Sequence, residues 1–192
     1  MAAIWRTGVL CSMAIAIALV PGPNRAHASS CKLQLAAEHV RDIAGAGDTE
    51  LYLSGYIHHG RATYARERIE QFNERDPWGA GLGKTLRNSR GNDESIYVFA
   101  LRDSHFQPQL MAGYAYQWVF PLGAGGLEAS VGLSPQLMSR RDYFDALPFP
   151  ILLPLATLGT REASLMVSYV PRLSLNKGSG DVLFFFLRFA LR

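Results

Sequence analysis

At 192 residues the chain is long enough for one domain. With 48% hydrophobic and only 18% charged residues it is too apolar to remain disordered, and poorer in charge than soluble domains usually are. A net charge of +3 without any Lys/Arg run interleaved with aromatics points to no nucleic acid, and two cysteines give neither a disulfide framework nor metal-ligand spacing.

Residues 1–28 read as a signal peptide. Arg6 is followed by a short apolar run from Val9 to Val20, a break at Pro21-Gly22, and the small-x-small sequence Ala26-His27-Ala28. The run is too short to span a membrane, and the mature chain is expected to begin at Ser29. Lipidation at Cys31 is the weaker alternative, because Ala28-Ser29-Ser30 lacks the usual large apolar residue. The segment 29–47 is expected to hold an amphipathic helix over 31–44, with Leu33, Ala36, Ala37, Val40 and Ile43 on one stripe. That helix either packs on the body or lies in a membrane interface beside it.

From Leu51 the pattern changes to period two, and residues 48–192 form the remaining domain. Strands are expected near 50–60, 78–88, 95–103, 109–120, 127–138, 151–160, 163–172 and 181–191. Several are about ten residues long, enough for a tilted strand to cross a bilayer. The connections tend to alternate between short turns and longer loops. The expectation is all-β: an eight-stranded antiparallel transmembrane β-barrel preceded by a short N-terminal amphipathic helix.

The alternation also assigns faces. Leu110, Ala112, Tyr114, Tyr116, Trp118 and Phe120 share one face of the fourth strand, and Met111, Gly113, Ala115, Gln117 and Val119 the other. In the last strand Leu183, Phe185, Leu187, Phe189 and Leu191 oppose Val182, Phe184, Phe186, Arg188 and Ala190. One face of each strand suits lipid. The other is more apolar than an ordinary barrel lumen, so the interior either receives a hydrocarbon chain or is filled by its own side chains.

Several stretches carry a family likeness: LYLSGYIHHGRATY (51–64), QFNERDPWGAGLG (71–83), YVFALRDS (97–104), AGYAYQW (112–118), LPFPILLPLATLG (147–159), SYVP (168–171) and FFFLRF (184–189). In this order they resemble the lipid A palmitoyltransferases of Gram-negative outer membranes, the PagP family. The resemblance covers nearly all of the mature barrel. It implies a bacterial outer-membrane acyltransferase that takes palmitate from the sn-1 position of a glycerophospholipid donor. The acceptor is a hydroxyl on an acyl chain of lipid A in lipopolysaccharide. The expected assembly is a monomer or weak homodimer, and no cofactor or metal is expected.

By motif, the resemblance implies catalytic roles for His59, which precedes Arg61 and Tyr64 in register, and for the pair Asp103 and Ser104. Ester transfer needs proton removal from the attacking hydroxyl, stabilisation of an oxyanion and protonation of the leaving alkoxide. His59 suits the base, because the unperturbed pKa of an imidazole lies near neutrality. Ser104 is either a nucleophile activated by that base or a hydrogen-bond donor to the oxyanion, and Asp103 can orient the imidazole. Neighbours on a regular strand point to opposite faces, so Asp103 and Ser104 share a site only if the strand breaks there.

Pro77, Pro154 and Pro171 match family prolines associated with lateral lipid access, since a proline removes a ladder hydrogen bond. Ser54 stands where the family pattern has another proline. Met111, Gly113 and Ala115 are expected to line the acyl pocket, with Ala115 at a floor position that is commonly glycine in the family. Two rival functions remain: a structural or adhesive barrel with a polar, plugged lumen, and a soluble lipid carrier with a polar outer face.

Overall fold

The computed structural model describes residues 23–62, 64, 66–123, 125–141, 144–171 and 180–191. Residues 1–22, most of the expected signal peptide, lie outside this set. Helix α1 spans Pro23–Ala46, starting eight residues before the expected Cys31. Proline is accommodated in a helix's first turn, where its missing N–H would have no partner. The chain divides after Ala37 into two compact units.

The unit from Glu38 onward holds the end of α1 and the barrel. Among the described residues eight strands close on themselves in sequence order: β1 (Asp48–His59), β2 (Gly79–Arg87), β3 (Asp93–Arg102), β4 (Pro108–Pro121), β5 (Glu128–Ser139), β6 (Phe149–Gly159), β7 (Ala163–Val170) and β8 (Val182–Leu191). Each strand pairs antiparallel with the next, and β1 pairs with β8, so no open edge remains. One rim carries the connections 88–92, 122–127 and 160–162. The other carries residues 103–107 and the described parts of the connections β1–β2, β5–β6 and β7–β8, with a short helix α2 (Arg66–Ile69) in the first of these three.

The outer wall is apolar. Val98, Leu110, Trp118, Phe120, Val131, Leu137, Leu152 and Leu158 are exposed around it. This is a lipid-facing surface, and it removes the soluble-carrier reading. At the short-turn rim the last turns of α1 meet the wall: Ile43 is fully buried, His39 bonds Glu94, and Lys84 donates to the Gly47 carbonyl at 3.1 Å. Val40 stays open to solvent, so only part of the expected stripe packs.

Inside, the lumen has two layers. Toward the short-turn rim it is filled by charge. Arg188 lies 3.6 Å from Glu50 and 3.8 Å from Asp93, and Arg87 binds Asp93 at 2.5 Å and Glu128 at 2.7 Å. Tyr52 and Thr85 donate to Glu50, each at 2.6 Å, and Gln117 donates to Ser130 and Thr157. Above this floor Phe99, Leu101, Ala115, Leu155, Met166 and Phe184 form an apolar wall around an open pocket. One half of the lumen is thus filled by its own side chains, and the other holds an apolar cavity. The inward face is decided by alternation, but its chemistry changes along each strand, as in β8 from Phe184 to Arg188.

Candidate active site

The pocket runs from the polar floor to the long-loop rim and has a cavity volume of about 140 Å³. Met111, Ala115 and Gln117 line it from β4, and Asp103, Ser104, Tyr64 and Arg140 stand at its mouth. Gly113 also faces inward but forms no part of the wall, because Gln136 covers it: a Cβ there would sit 2.5 Å from Gln136 Cβ. Ala115 pairs with Ser95, and Gln117 lies below it. The pocket therefore ends on polar side chains beneath the alanine.

The strand break required for Asp103 and Ser104 is present. β3 ends at Arg102, and the next residues turn, with Phe106 at a left-handed φ of 61°. Asp103 holds the turn together. Its Oδ1 accepts the backbone N–H groups of His105 and Gln107, both at 2.8 Å, and its Oδ2 accepts Arg140 at 3.2 Å. All three partners lie on the loop rim, so both residues reach the pocket while the turn stays closed. Ser104 Oγ lies 3.5 Å from His105 Nδ1.

His59 closes β1 and is buried to 1% exposure. Its backbone N–H and ring Nδ1 lie 3.0 and 3.1 Å from Glu74 Oε1, while Arg61 grips the same carboxylate at 3.1 and 2.8 Å. Burial pushes the Glu74 carboxyl up, but the bonds from Arg61 and His59 outweigh it and hold the group below the usual carboxylate range. The same bond raises the Arg61 guanidinium. The imidazole stacks on Phe72 at 4.3 Å, with the Tyr64 edge at 5.3 Å; the other side of Phe72 meets His105 at 5.3 Å. Asn73 N–H donates to the Ser104 carbonyl at 2.8 Å, tying the two loops.

The three expected catalytic residues thus gather at one rim, but not as a hydrogen-bonded triad. Among the described residues no hydrogen bond joins His59 to Asp103 or Ser104. The carboxylate bonded to His59 is Glu74, whereas Asp103, which could also have oriented the imidazole, bonds the turn and Arg140. Asp103 instead fixes the turn that presents Ser104. Phe72 and Glu74 lie in the stretch 71–83 that carries the family likeness, whereas His105 and Arg140 lie outside every such stretch.

Two lateral gaps open near this rim. β1 pairs with β2 only as far as Leu53 and Ala80, although β1 continues to His59. Pro77 is buried just before β2, and the Ser54 hydroxyl donates to the Gly79 carbonyl at 3.2 Å. β6 pairs with β7 only as far as Leu155 and Ser168. Pro154 begins that unpaired stretch and Pro171 follows β7; neither supplies an N–H to close it. Among the described residues no cluster of His, Cys, Asp or Glu could hold a metal.

Such a molecule, a small transmembrane barrel with an apolar pocket opening beside buried histidine, serine and aspartate, belongs to the class of membrane enzymes that handle a hydrocarbon chain. The chain matches, over residues 39–188, the family described as "Antimicrobial peptide resistance and lipid A acylation protein PagP". It belongs to this PagP family. A lipid A acyltransferase PagP from Bordetella pertussis (strain CS) is 39% identical over 153 residues, covering 80% of this chain and 81% of that protein. Another from Methylobacillus flagellatus is 39% identical over 151 residues, 79% of each. A third, from Legionella longbeachae, is 40% identical over 140 residues, covering 72% of this chain and 58% of its own length.

Proposed function

We propose that this chain sits in the bacterial outer membrane and moves a palmitoyl or similar-length chain from the sn-1 position of a glycerophospholipid onto a hydroxyl of lipid A. The observation that carries this reading is the apolar pocket, closed below by charge and open above beside Ser104. A fatty tail enters that pocket favourably, at about 0.8 kcal/mol per buried methylene. Its ester is then left at the polar mouth.

In this mechanism His59, steadied by Glu74, takes the proton of the attacking hydroxyl and returns it to the leaving glycerol oxygen. Ser104 either donates to the ester oxygen or accepts the acyl group transiently, and Asp103 holds Ser104 in place. His59 reaches the ester past the Tyr64 and Phe72 rings, so substrate binding involves a shift of these aromatics. Lipids enter sideways through the gaps beside Pro77 and beside Pro154 and Pro171. The long-loop rim faces outward, as in other barrels of this kind.

The test is mass spectrometry of lipid A in an acyltransferase-deficient host expressing wild type, His59→Ala or Ser104→Ala. Wild type is expected to add one acyl chain and each variant to lose most of that addition. A folded wild-type barrel that leaves lipid A unchanged overturns the reading.

A further inference from the structure

Acyl transfer concentrates negative charge on the ester carbonyl oxygen, and a preorganised donor aimed at that oxygen is often the largest single catalytic contribution. Among the described residues, several donors at the rim are already engaged. Arg140 is committed to Asp103, and the N–H groups of His105 and Gln107 are committed to the same carboxylate. Gln109, a buried side chain, is not so committed. Gln109 pairs with Leu101 in the β3–β4 ladder, two residues along from Gln107, and is 8% exposed. It lines the same pocket as Asp103 and Ser104. Its carboxamide Nε2 meets only the thioether of Met111, at 3.4 Å.

A thioether is a weak acceptor, and a buried amide so poorly matched retains most of its donor capacity. Gln136 shows the contrast within the same pocket. Its Nε2 also faces Met111 sulfur, at 3.8 Å, but its oxygen accepts the Tyr97 hydroxyl, which fixes the group deeper in the barrel. Gln109 makes no such second bond among the described residues. It sits one inward-facing position below the mouth, where the first atoms of a threaded acyl chain lie.

We propose that Gln109 is a catalytic residue: its carboxamide N–H exchanges Met111 sulfur for the carbonyl oxygen of the scissile ester and holds that oxygen as it becomes an oxyanion. This rests on the acyltransferase reading above. In the reaction the carbonyl carbon gains a bond to the attacking oxygen and loses its bond to the glycerol oxygen. The hydroxyl proton passes to that leaving oxygen, and Gln109 neither gains nor loses a proton.

The test compares wild type, Gln109→Met and Gln109→Glu in detergent micelles with a glycerophospholipid donor and purified lipid A. Both variants are expected to keep the folded barrel by circular dichroism. Gln109→Met should lose about 10²- to 10³-fold in kcat with KM little changed, and Gln109→Glu, which puts charge beside the oxyanion, should lose at least as much. In a Ser104→Ala background, which spares the donor, the carbonyl stretch of a donor ¹³C-labelled at the ester is expected to lie at lower frequency with Gln109 than with Met at that position. A kcat for both folded variants within threefold of wild type, or an unshifted carbonyl stretch, overturns the assignment while leaving the acyltransferase reading intact. Absence of turnover by wild type overturns both.

Discussion

Glu74 holds both the backbone N–H and the ring Nδ1 of His59 through a single carboxylate oxygen, at 3.0 and 3.1 Å, while its other oxygen binds Arg61. The imidazole is thereby fixed by a residue from a long loop and not by Asp103. With Nδ1 occupied, the proposed mechanism assigns proton transfer to Nε2.

Glu74→Gln keeps the size of the side chain but removes its charge and weakens the bond from Arg61. Because a positioned acid–base group contributes typically 10²- to 10⁴-fold, the variant is expected to lose about tenfold or more in kcat. His59→Ala should lose the larger factor. Steady-state turnover of the two purified barrels, with circular dichroism confirming the fold, makes the comparison.

The carboxyl of Glu74 titrates below its ordinary range when folded. Its contribution to anchoring the 60–78 loop is therefore complete above the ordinary carboxylate range and is lost as pH falls through the depressed value. Ile57 N–H bonds the Glu74 carbonyl. Its exchange protection, corrected for intrinsic rate, is expected to hold at neutral pH and drop in acid. In Glu74→Gln protection should be lower at neutrality and flat with pH.

The charged floor predicts a stability effect separable from activity. Arg188→Met strips Glu50 and part of Asp93 of a buried counter-charge, and breaking a buried pair in this way costs about 3–5 kcal/mol. Denaturant unfolding in detergent should show the loss. Acyl transfer by the still-folded fraction should persist, because the rim residues are untouched.

Ala115, at 2% exposure, caps the apolar part of the pocket. Ala115→Gly deepens it by about one methyl, and at about 0.8 kcal/mol per methylene this changes discrimination between neighbouring chain lengths about fourfold. Mass spectrometry of the modified lipid A is expected to show a longer preferred chain in Ala115→Gly than in wild type. An identical distribution removes Ala115 as a length determinant.

The strand positions were legible because period-two alternation and turn residues are local signals; each expected strand matches an observed one to within two residues at both ends. Which face of β4 meets lipid followed from the same alternation, as Trp118 and Phe120 outside and Ala115 and Gln117 inside show. Depth was not legible. Glu50 and Arg188 stand at opposite ends of the sequence, and only closure of the barrel places them together. Their neighbours Tyr52 and Phe186 have the same inward alternation yet lie among aromatics. For the same reason the family likeness brought His59, Asp103 and Ser104 into view but not their partners. Glu74 and Arg140 act through contacts between separate loops, which no spacing encodes.

The layered interior separates two demands that usually conflict. A barrel that admits lipids through slits in its wall risks becoming a hole through which ions and small solutes pass. Among the described residues the unpaired stretches lie beside the upper chamber, and interlocked arginines and carboxylates fill the lumen beneath them. Under the proposed function, the wall parts to exchange lipids without opening a path through the floor.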